Sequence, residues 1–215
     1  MQFVERLRVL LAVGVDSEGH RSILGVSVSL SEAEVHWREF FKSLLARGLH
    51  GLELITSDAH AGLKEARQAC FSGVPWQRCQ FLLMHNALAH VPRQELKREV
   101  IDDLHGVLDA ADQAAATEQL QRVVRKYEKS APKLAAWMEE NVPESLTVFR
   151  LPAGHRQRLR TTNMLERLNR ELKRRTRVAT LFPNEDSLLR LVTAILIEVS
   201  EEWETGKRYV TFETK

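Results

Sequence analysis

Residues 52–63 read LELITSDAHAGL, and this stretch decides the fold class. The residues from Leu52 to Thr56 predict a short strand, which runs directly into Asp58. A helix is predicted over 61–71, immediately after this acidic residue. A strand that leads through an acidic residue into a helix is typical of α/β proteins, in which ligands and catalytic groups collect at the carboxyl ends of strands.

The stretches on either side extend this pattern. Upstream, residues 7–15 (LRVLLAVGV) and 21–30 (RSILGVSVSL) flank an Asp/Gly-containing turn and predict a β-hairpin. Ser31 is the predicted N-cap of a helix that Gly48 ends. Downstream, residues 76–81 predict another strand. The order strand, strand, helix, strand, helix, strand favours a mixed sheet packed by helices.

The remainder of the chain is predicted to be helical. Residues 84–142 are rich in Ala, Leu, Gln, Lys and Glu and lack a strand pattern, so they indicate a helical insertion. After a loop at 151–154, two long helices are expected at about 162–177 and 184–204.

Overall composition narrows the class of protein only slightly. The 215 residues are 44% hydrophobic, which allows an ordinary core, and the net charge is +2. The two cysteines, Cys70 and Cys79, lack the spacing of a zinc site and are expected to be reduced thiols. No signal peptide or membrane span is predicted, so we expect a cytoplasmic protein without a membrane partner.

Positive charge is concentrated in residues 150–177. This segment has ten Lys and Arg residues against Glu166 and Glu171, a net charge of +8 in 28 residues. A basic stripe of this density is typical of proteins that contact phosphates, whereas a solvated helix face is the commoner meaning of a charge run. The few acids leave most of these cations without a partner one helical turn away, which favours phosphate contact.

A helical wheel of residues 162–177 separates an apolar face from a polar one. Leu165, Leu168 and Leu172 share the apolar face, and Glu166 lies on the other side among cations. A carboxylate in these surroundings is either the centre of a salt-bridge network or a ligand for a divalent metal ion. Asp58 has its own alternative, because a Ser-Asp pair before a helix is often only a cap.

Four long strings resemble the Mutator-type transposases, including their bacterial insertion-sequence members. They are LLAVGVDSEGHRSILGVSVSLSEAEVHWREFFKSLLARGL at 10–49, GLELITSDAHAGL at 51–63, WQRCQFLLMHNALAHVP at 76–92 and TTNMLERLNRELKRRTRVATLFPNEDSLLRLV at 161–192. The resemblance covers essentially the whole chain. It implies a ribonuclease H-like mixed sheet, a triad of two Asp and one Glu that binds Mg²⁺ or Mn²⁺, and a helical insertion before the final catalytic helix.

The resemblance assigns two of the three acids to this chain. Asp58 corresponds to the second Asp and Glu166 to the Glu, so both are expected to be catalytic metal ligands. The first Asp of the family belongs to a strand that precedes LRVLLAVGV, and Asp16 in the hairpin turn does not replace it. A further departure is Leu82, where the family has a His three residues after Cys79; His85 stands three residues later. These departures predict an N-terminally truncated, impaired copy.

The resemblance also implies a DNA partner, both element ends and target, with homo-oligomer formation left open. The basic and amide side chains expected to contact double-stranded DNA are Arg160, Asn163, Arg167, Asn169, Arg170, Lys173, Arg174, Arg175 and Arg177. His60 and His155 are either assisting groups or exposed histidines.

The predicted organisation is a first part of the core at 1–83, a helical insertion with its connecting loop at 84–155, and the C-terminal helices of the core at 156–215. Two other functions stay open. One is a non-catalytic DNA-binding or dimer-partner fragment that modulates a complete transposase. The other is a different ribonuclease H-like nuclease, which the specific strings disfavour.

Overall fold

The structure is a computed structural model that describes residues 8–176, 182 and 184–211. Within these residues the strands are β1 (Arg8–Val15), β2 (Arg21–Ser29), β3 (Ile55–Ser57) and β4 (Trp76–Arg78). The helices are α1 (Glu34–Ala46), α2 (Ala61–Cys70), α3 (Gln80–Ala87), α4 (Leu96–Leu108), α5 (Gln113–Tyr127), α6 (Pro132–Asn141), α7 (Ala153–Leu159), α8 (Asn163–Thr176) and α9 (Glu185–Thr205). Short 3₁₀ turns lie at Leu88–His90, Pro143–Ser145 and Thr147–Arg150.

The order of the elements confirms the predicted α/β class, and most of the predicted helix and strand boundaries agree with the structure. The first six elements follow in the predicted order, and residues 84–142, all of which the structure describes, contain helices and no strand. The two long C-terminal helices are present as α8 and α9. Arg177, one of the side chains expected to contact DNA, lies outside the described residues.

Strand pairing differs from the mixed sheet that the sequence predicted. β1 and β2 form an antiparallel hairpin, whereas β3 and β4 form a separate parallel pair of three residues each. No other strand among the described residues joins the two pairs. The strand predicted at 76–81 ends at Arg78, because residues 80–87 form α3. A short apolar run such as Phe81 to Met84 fits a helix as well as a strand, so periodicity alone does not decide between them.

Two helix starts also differ from prediction. α1 begins at Glu34 with Ala33 as its N-cap, and Ser31 Oγ instead accepts a hydrogen bond of 3.4 Å from the Ala33 amide in the preceding turn. Serine side chains readily bind the backbone two residues on, and this local bond competes with capping. The predicted loop at 151–154 is shorter than expected, because α7 starts at Ala153.

Contacts within the chain group its residues into two compact units. The first unit comprises the described parts of residues 1–52, 59–74 and 163–215, and the second comprises residues 53–58 and 75–162. In the first unit, one face of the hairpin packs against α8 and α9. Its buried core includes Leu11 of β1, Leu168 and Leu172 of α8, and Val192 of α9. The predicted apolar stripe of α8 is therefore confirmed as a core face.

The second unit has a core of its own. Its buried hydrophobic residues all lie between Leu83 and Phe149, on α3 to α6 and the turns that follow. Gln77 of β4 is fully buried beside this core. Its Nε2 donates to the carbonyl of Ser145 (2.8 Å), and its Oε1 accepts from the amide of Val148 (2.7 Å). A buried side-chain amide needs such partners, and here they tie the short β4 strand to the end of the helical segment.

A glycine at the hairpin turn gives a test of the first unit. Gly19 has φ +84°, and a Cβ atom placed there would lie 1.7 Å from the carbonyl oxygen of Val210. Its own carbonyl accepts from the amides of Tyr209 (2.7 Å) and Val210 (3.3 Å). Because both the conformation and the space exclude a side chain, we expect Gly19→Ala to lower the free energy of unfolding by about 2–4 kcal/mol.

Gly48→Ala is the matched control for this measurement. Gly48 also has positive φ, +95°, but no atom lies within 4 Å of a Cβ placed there. Because only backbone strain opposes a side chain here, Gly48→Ala should lower the free energy of unfolding by about 1 kcal/mol. Urea denaturation of both variants measures the difference. Equal losses would show that the Val210 segment does not pack against the turn.

Candidate functional site

Asp58 lies where the sequence predicted it, at the carboxyl end of a strand. It follows Ser57, the last residue of β3, and its side chain is half-buried. Ser57 is held on two sides, because its carbonyl accepts from the amide of Cys79 (2.7 Å) and its Oγ accepts from Trp76 Nε1 (2.9 Å). α2 begins three residues after Asp58, with His60 at the N-cap position. The backbone that carries Asp58 is therefore fixed by β4 and by the residue after it.

Glu166 lies in the first turn of α8, as predicted. The buried Leu168 and Leu172 turn one face of this helix towards the core, and the cations Arg167, Arg170 and Lys173 are exposed. Asn163 is exposed, whereas Asn169 is half-buried. α8 thus presents a carboxylate and several cations outside its apolar face.

The structure divides the cations of α8 into two groups. Glu171 is the centre of an ion-pair network: it accepts from Arg174 (2.7 and 2.8 Å) and Arg175 (2.7 Å). Arg175 also donates to Glu198 of α9 (2.7 Å). The second group, Arg167, Arg170 and Lys173, forms no ion pair with any acid in the described part of the chain. Glu171 is therefore a salt-bridge centre on this helix, and the two alternatives for Glu166 stay open.

The second group borders an open groove. Arg170 and Lys173, together with Arg174 and Thr176, line a cavity of about 560 Å³. A groove lined by cations attracts anions. Arg174 is paired with Glu171, whereas Arg170 and Lys173 pair with no acid among the described residues. This groove is called the α8 groove below.

The Glu171 network predicts a distinctive acid titration. Hydrogen bonds from Arg174 and then Arg175 lower the pKa of Glu171 from 4.5 to about 2. We expect a carboxyl ¹³C NMR titration of Glu171 with a midpoint at about pH 2. Because the folded pKa is lowered, the network contributes to stability above pH 4.5, and this contribution is lost as the pH falls through about 2. Arg174→Ala should raise the midpoint; an unchanged midpoint would show that the pair does not form.

Two of the basic residues before α8, Arg156 and Arg160, belong to the second unit and have structural partners. Arg156 donates to the carbonyls of Leu151 (2.9 Å) and Ala111 (2.8 Å). Arg160 forms a salt bridge with Asp109. The sequence analysis missed these partners, because a backbone carbonyl or an acid some 50 positions away leaves no mark in the local pattern. The charge of Arg160 is thus partly balanced within the chain.

Cys79, the cysteine of the WQRCQFLLMHNALAHVP string, is a buried hydrogen-bond acceptor. Cys79 is fully buried, and its Sγ accepts hydrogen bonds from the amide (3.3 Å) and the hydroxyl (3.2 Å) of Thr162. Leu82 is half-buried on α3, and His85 is exposed on the same helix. Both cysteines are free thiols. His60 and His155, named as assisting groups, are exposed and half-buried, respectively.

Asp58 and Glu166 belong to different compact units, so a metal site that both of them share stays a prediction. Within the described ranges no group of three or more His, Cys, Asp or Glu side chains is placed to hold a metal ion. No helix in the described part of the chain is both long enough and apolar enough to cross a membrane.

The family follows from comparison with known proteins. The sequence profile described as "Transposase, Mutator family" matches residues 2–206 of this chain. Because the match covers nearly the whole chain, the protein belongs to the Mutator family of transposases.

Individual relatives agree with this assignment. The chain is 55% identical over 204 residues to the transposase for insertion sequence element IS406 of Burkholderia multivorans, which covers 95% of this chain and 53% of the relative. It is 37% identical over 207 residues to the IS1081 transposase of Mycobacterium tuberculosis (96% and 50%). It is 33% identical over 208 residues to the IS256 transposase in transposon Tn4001 of Staphylococcus aureus (94% and 52%). The chain spans about half the length of the relatives it matches.

Proposed function

We propose that this chain is part of the catalytic region of a DNA transposase, in which Asp58 and Glu166 are metal-binding catalytic carboxylates. The observation that carries the proposal is α8, where a carboxylate in the first turn shares the helix with cations that pair with no acid among the described residues. Membership of the Mutator family adds the reaction class, strand cleavage and transfer at the ends of a mobile element. We further propose a ribonuclease H-like fold, which the order of β1 to β4 and the helices between them supports.

The chemistry of Asp58 and Glu166 fits Mg²⁺ or Mn²⁺, because hard cations bind carboxylate oxygens. Bound there, such ions would supply activation of a water or a 3′-hydroxyl and stabilisation of the leaving oxygen of a phosphodiester. The chain's own contribution is to hold the two carboxylates. Ser57, fixed by Cys79 and Trp76, restrains the backbone at Asp58, and the buried Leu168 restrains the helix that carries Glu166.

We propose that the α8 groove binds the phosphates of double-stranded DNA. Lys and Arg side chains that contact phosphates give affinity without reading sequence. Arg167, Arg170 and Lys173 suit this role, because no described acid neutralises them. Arg174 and Arg175 contribute less charge, since Glu171 partly balances both. Asn163, Asn169 and Arg160 are secondary contacts in this proposal.

A chimeric transposase tests the catalytic proposal. Residues 2–206 of this chain would replace the matching half of the IS406 transposase, with DNA carrying the ends of that element as substrate. We expect Mg²⁺-dependent strand cleavage by the chimera. Asp58→Asn and Glu166→Gln should each lower its rate by more than about a hundredfold, because each removes a ligand charge.

Glu171→Gln is the matched control in the same chimera. It removes a carboxylate from the same helix, but one that is already paired with Arg174 and Arg175. We expect a change in cleavage rate of less than about fivefold. If Glu171→Gln abolished cleavage while Glu166→Gln did not, the assignment of the catalytic Glu would be wrong.

A second candidate function is a DNA-binding partner that does not cleave. The observation that favours it is the lack of a three-ligand cluster among the described residues, while the exposed cations of α8 remain. If this second function is correct, the chimera should bind DNA with a salt-dependent affinity but should not cleave it at any metal concentration.

A further inference from the structure

The side of α9 that lies away from the core carries a row of exposed residues. The buried residues of this helix, among them Leu188, Val192 and Ile195, pack into the core of the first unit. An α-helix has 3.6 residues per turn, so positions that differ by three or four lie one above the other. Spacings of four, three and four place four exposed side chains in one row opposite this core: Arg190, Ala194, Ile197 and Glu201. We call this row the α9 stripe.

The α9 stripe is apolar at its centre and charged on its flanks. Ile197 is 55% exposed, and Ala194, one turn earlier, leaves open space beside it because its side chain is small. Arg190 lies four residues before Ala194, and Glu201 lies four residues after Ile197. Neither Arg190 nor Glu201 forms an ion pair with any residue that the structure describes. The order along the stripe is therefore cation, small residue, large apolar residue, anion.

This order is complementary to itself when it is read in reverse. If two α9 helices pack antiparallel about a two-fold axis between Ala194 and Ile197, Ala194 of each copy lies opposite Ile197 of the other. Arg190 of each copy then lies opposite Glu201 of the other. Closed dimers use isologous contacts of this kind, in which one surface patch meets a copy of itself.

We propose that the α9 stripe is a docking surface for a second copy of this chain, packed as an antiparallel helix pair. Ile197 fills the space beside Ala194 of the second copy, and two ion pairs between Arg190 and Glu201 flank this contact. Glu201 also gains from the pairing in another way. It lies near the carboxyl end of α9, whose last turn has no basic residue, and a carboxylate there interacts unfavourably with the helix dipole. A cation from the second copy offsets this repulsion.

The size of the contact and the charges at its ends set the expected affinity. One helix from each copy makes a contact at the small end of the range for protein interfaces. Asp186 of one copy also approaches Glu204 of the other, although the exposed Lys207 and Arg208 follow α9 directly and supply positive charge. We therefore expect a reversible dimer with a Kd of about 10–100 µM. The proposal goes beyond the proposed function, because it does not depend on Asp58 or on a metal site.

Sedimentation velocity of residues 1–215 at several concentrations tests the docking surface. Arg190→Glu and Glu201→Arg should each weaken self-association by at least about tenfold, because each substitution replaces two ion pairs by two contacts between like charges. An equal mixture of these two variants should associate with a Kd within about threefold of that of the unmodified chain. In the mixed dimer every charge of one copy again lies opposite a charge of the other sign.

Two further variants separate the α9 stripe from the rest of the helix. Glu202→Arg makes the same charge change at the next exposed position, about 100° around the helix from Glu201, and should change the Kd by less than about twofold. Ile197→Asp should weaken the dimer by at least about tenfold, because it places two carboxylates at the centre of the contact. Urea denaturation should give all four variants nearly the stability of the unmodified chain, since the substituted positions are exposed.

Three results would overturn the proposal. The first is a chain that stays monomeric up to about 1 mM, well above the expected Kd. The second is a dimer whose Kd is unchanged by Arg190→Glu and by Glu201→Arg, which would place the contact on another surface. The third is a mixture of these two variants that does not associate, because a two-fold antiparallel contact requires that the mixed dimer form.

Discussion

Replacing both Arg170 and Lys173 by alanine will flatten the dependence of DNA affinity on salt. Each phosphate contact that is lost removes about 0.9 from the slope of log affinity against log salt concentration, so the expected change is about 1.8. At 0.1 M salt this corresponds to roughly sixtyfold weaker binding. Both residues are exposed, line the α8 groove and have no acid partner among the described residues. Fluorescence anisotropy with double-stranded DNA at several salt concentrations measures the slope.

Two control variants make this result specific to the α8 groove. Lys129→Ala with Lys133→Ala removes the same net charge from exposed positions of the second unit and should leave the slope nearly unchanged. Arg174→Ala with Arg175→Ala should have an intermediate effect, because Glu171 already neutralises part of that charge. Equal slopes for all three double variants would assign the cations of α8 to an ordinary solvated helix face.

The second large effect concerns cleavage by residues 1–215 alone. We expect this polypeptide to bind Mg²⁺ weakly and to cut DNA at least about a thousandfold more slowly than the chimera with the IS406 transposase. In the proposed mechanism Asp58 and Glu166 supply two carboxylates, and no group of three or more His, Cys, Asp or Glu side chains is placed to hold a metal ion among the residues that the structure describes. Two ligands leave the charge of paired metal ions poorly balanced and loosen the geometry that in-line displacement needs.

Single-turnover cleavage and metal-titration calorimetry on the same preparation measure both parts of this expectation. The chimera is the positive control, and its Asp58→Asn variant shows the background rate. Robust Mg²⁺-dependent cleavage by residues 1–215, abolished by Asp58→Asn, would show that this chain contains a complete metal site.

Local patterns in the sequence were enough to predict much of the fold. The β1–β2 hairpin and the apolar stripe of α8 depend on residues that are close together in the sequence. The periodicity of their hydrophobic residues is therefore visible in a short window. The errors lie where two local structures compete. Ser31 binds the Ala33 amide instead of capping α1, and residues 80–87 form a helix where part of a strand was expected.

Partners that are distant in sequence could not be predicted from its pattern. The bond between Cys79 and Thr162 spans 83 positions, and the salt bridge between Arg160 and Asp109 spans 51. Strand pairing is equally non-local, so the separation of β3 and β4 from the hairpin was not foreseen. By contrast, the pairing of Glu171 with Arg174 and Arg175 follows from spacings of three and four residues, although its consequence for the pKa of Glu171 required the distances.

The two cores differ in the order in which their segments are synthesised on the ribosome. The core of the second unit draws on one continuous segment, from Leu83 to Phe149, and can close while synthesis continues. The core of the first unit joins β1 and β2 to α8 and α9, which are synthesised only after residues 75–162 of the second unit. The hairpin therefore leaves the ribosome before its packing partners, and its apolar face stays uncovered until α8 and α9 have been translated. That interval gives chaperones a binding site on the nascent chain, and slow translation of these two helices would prolong the risk of aggregation.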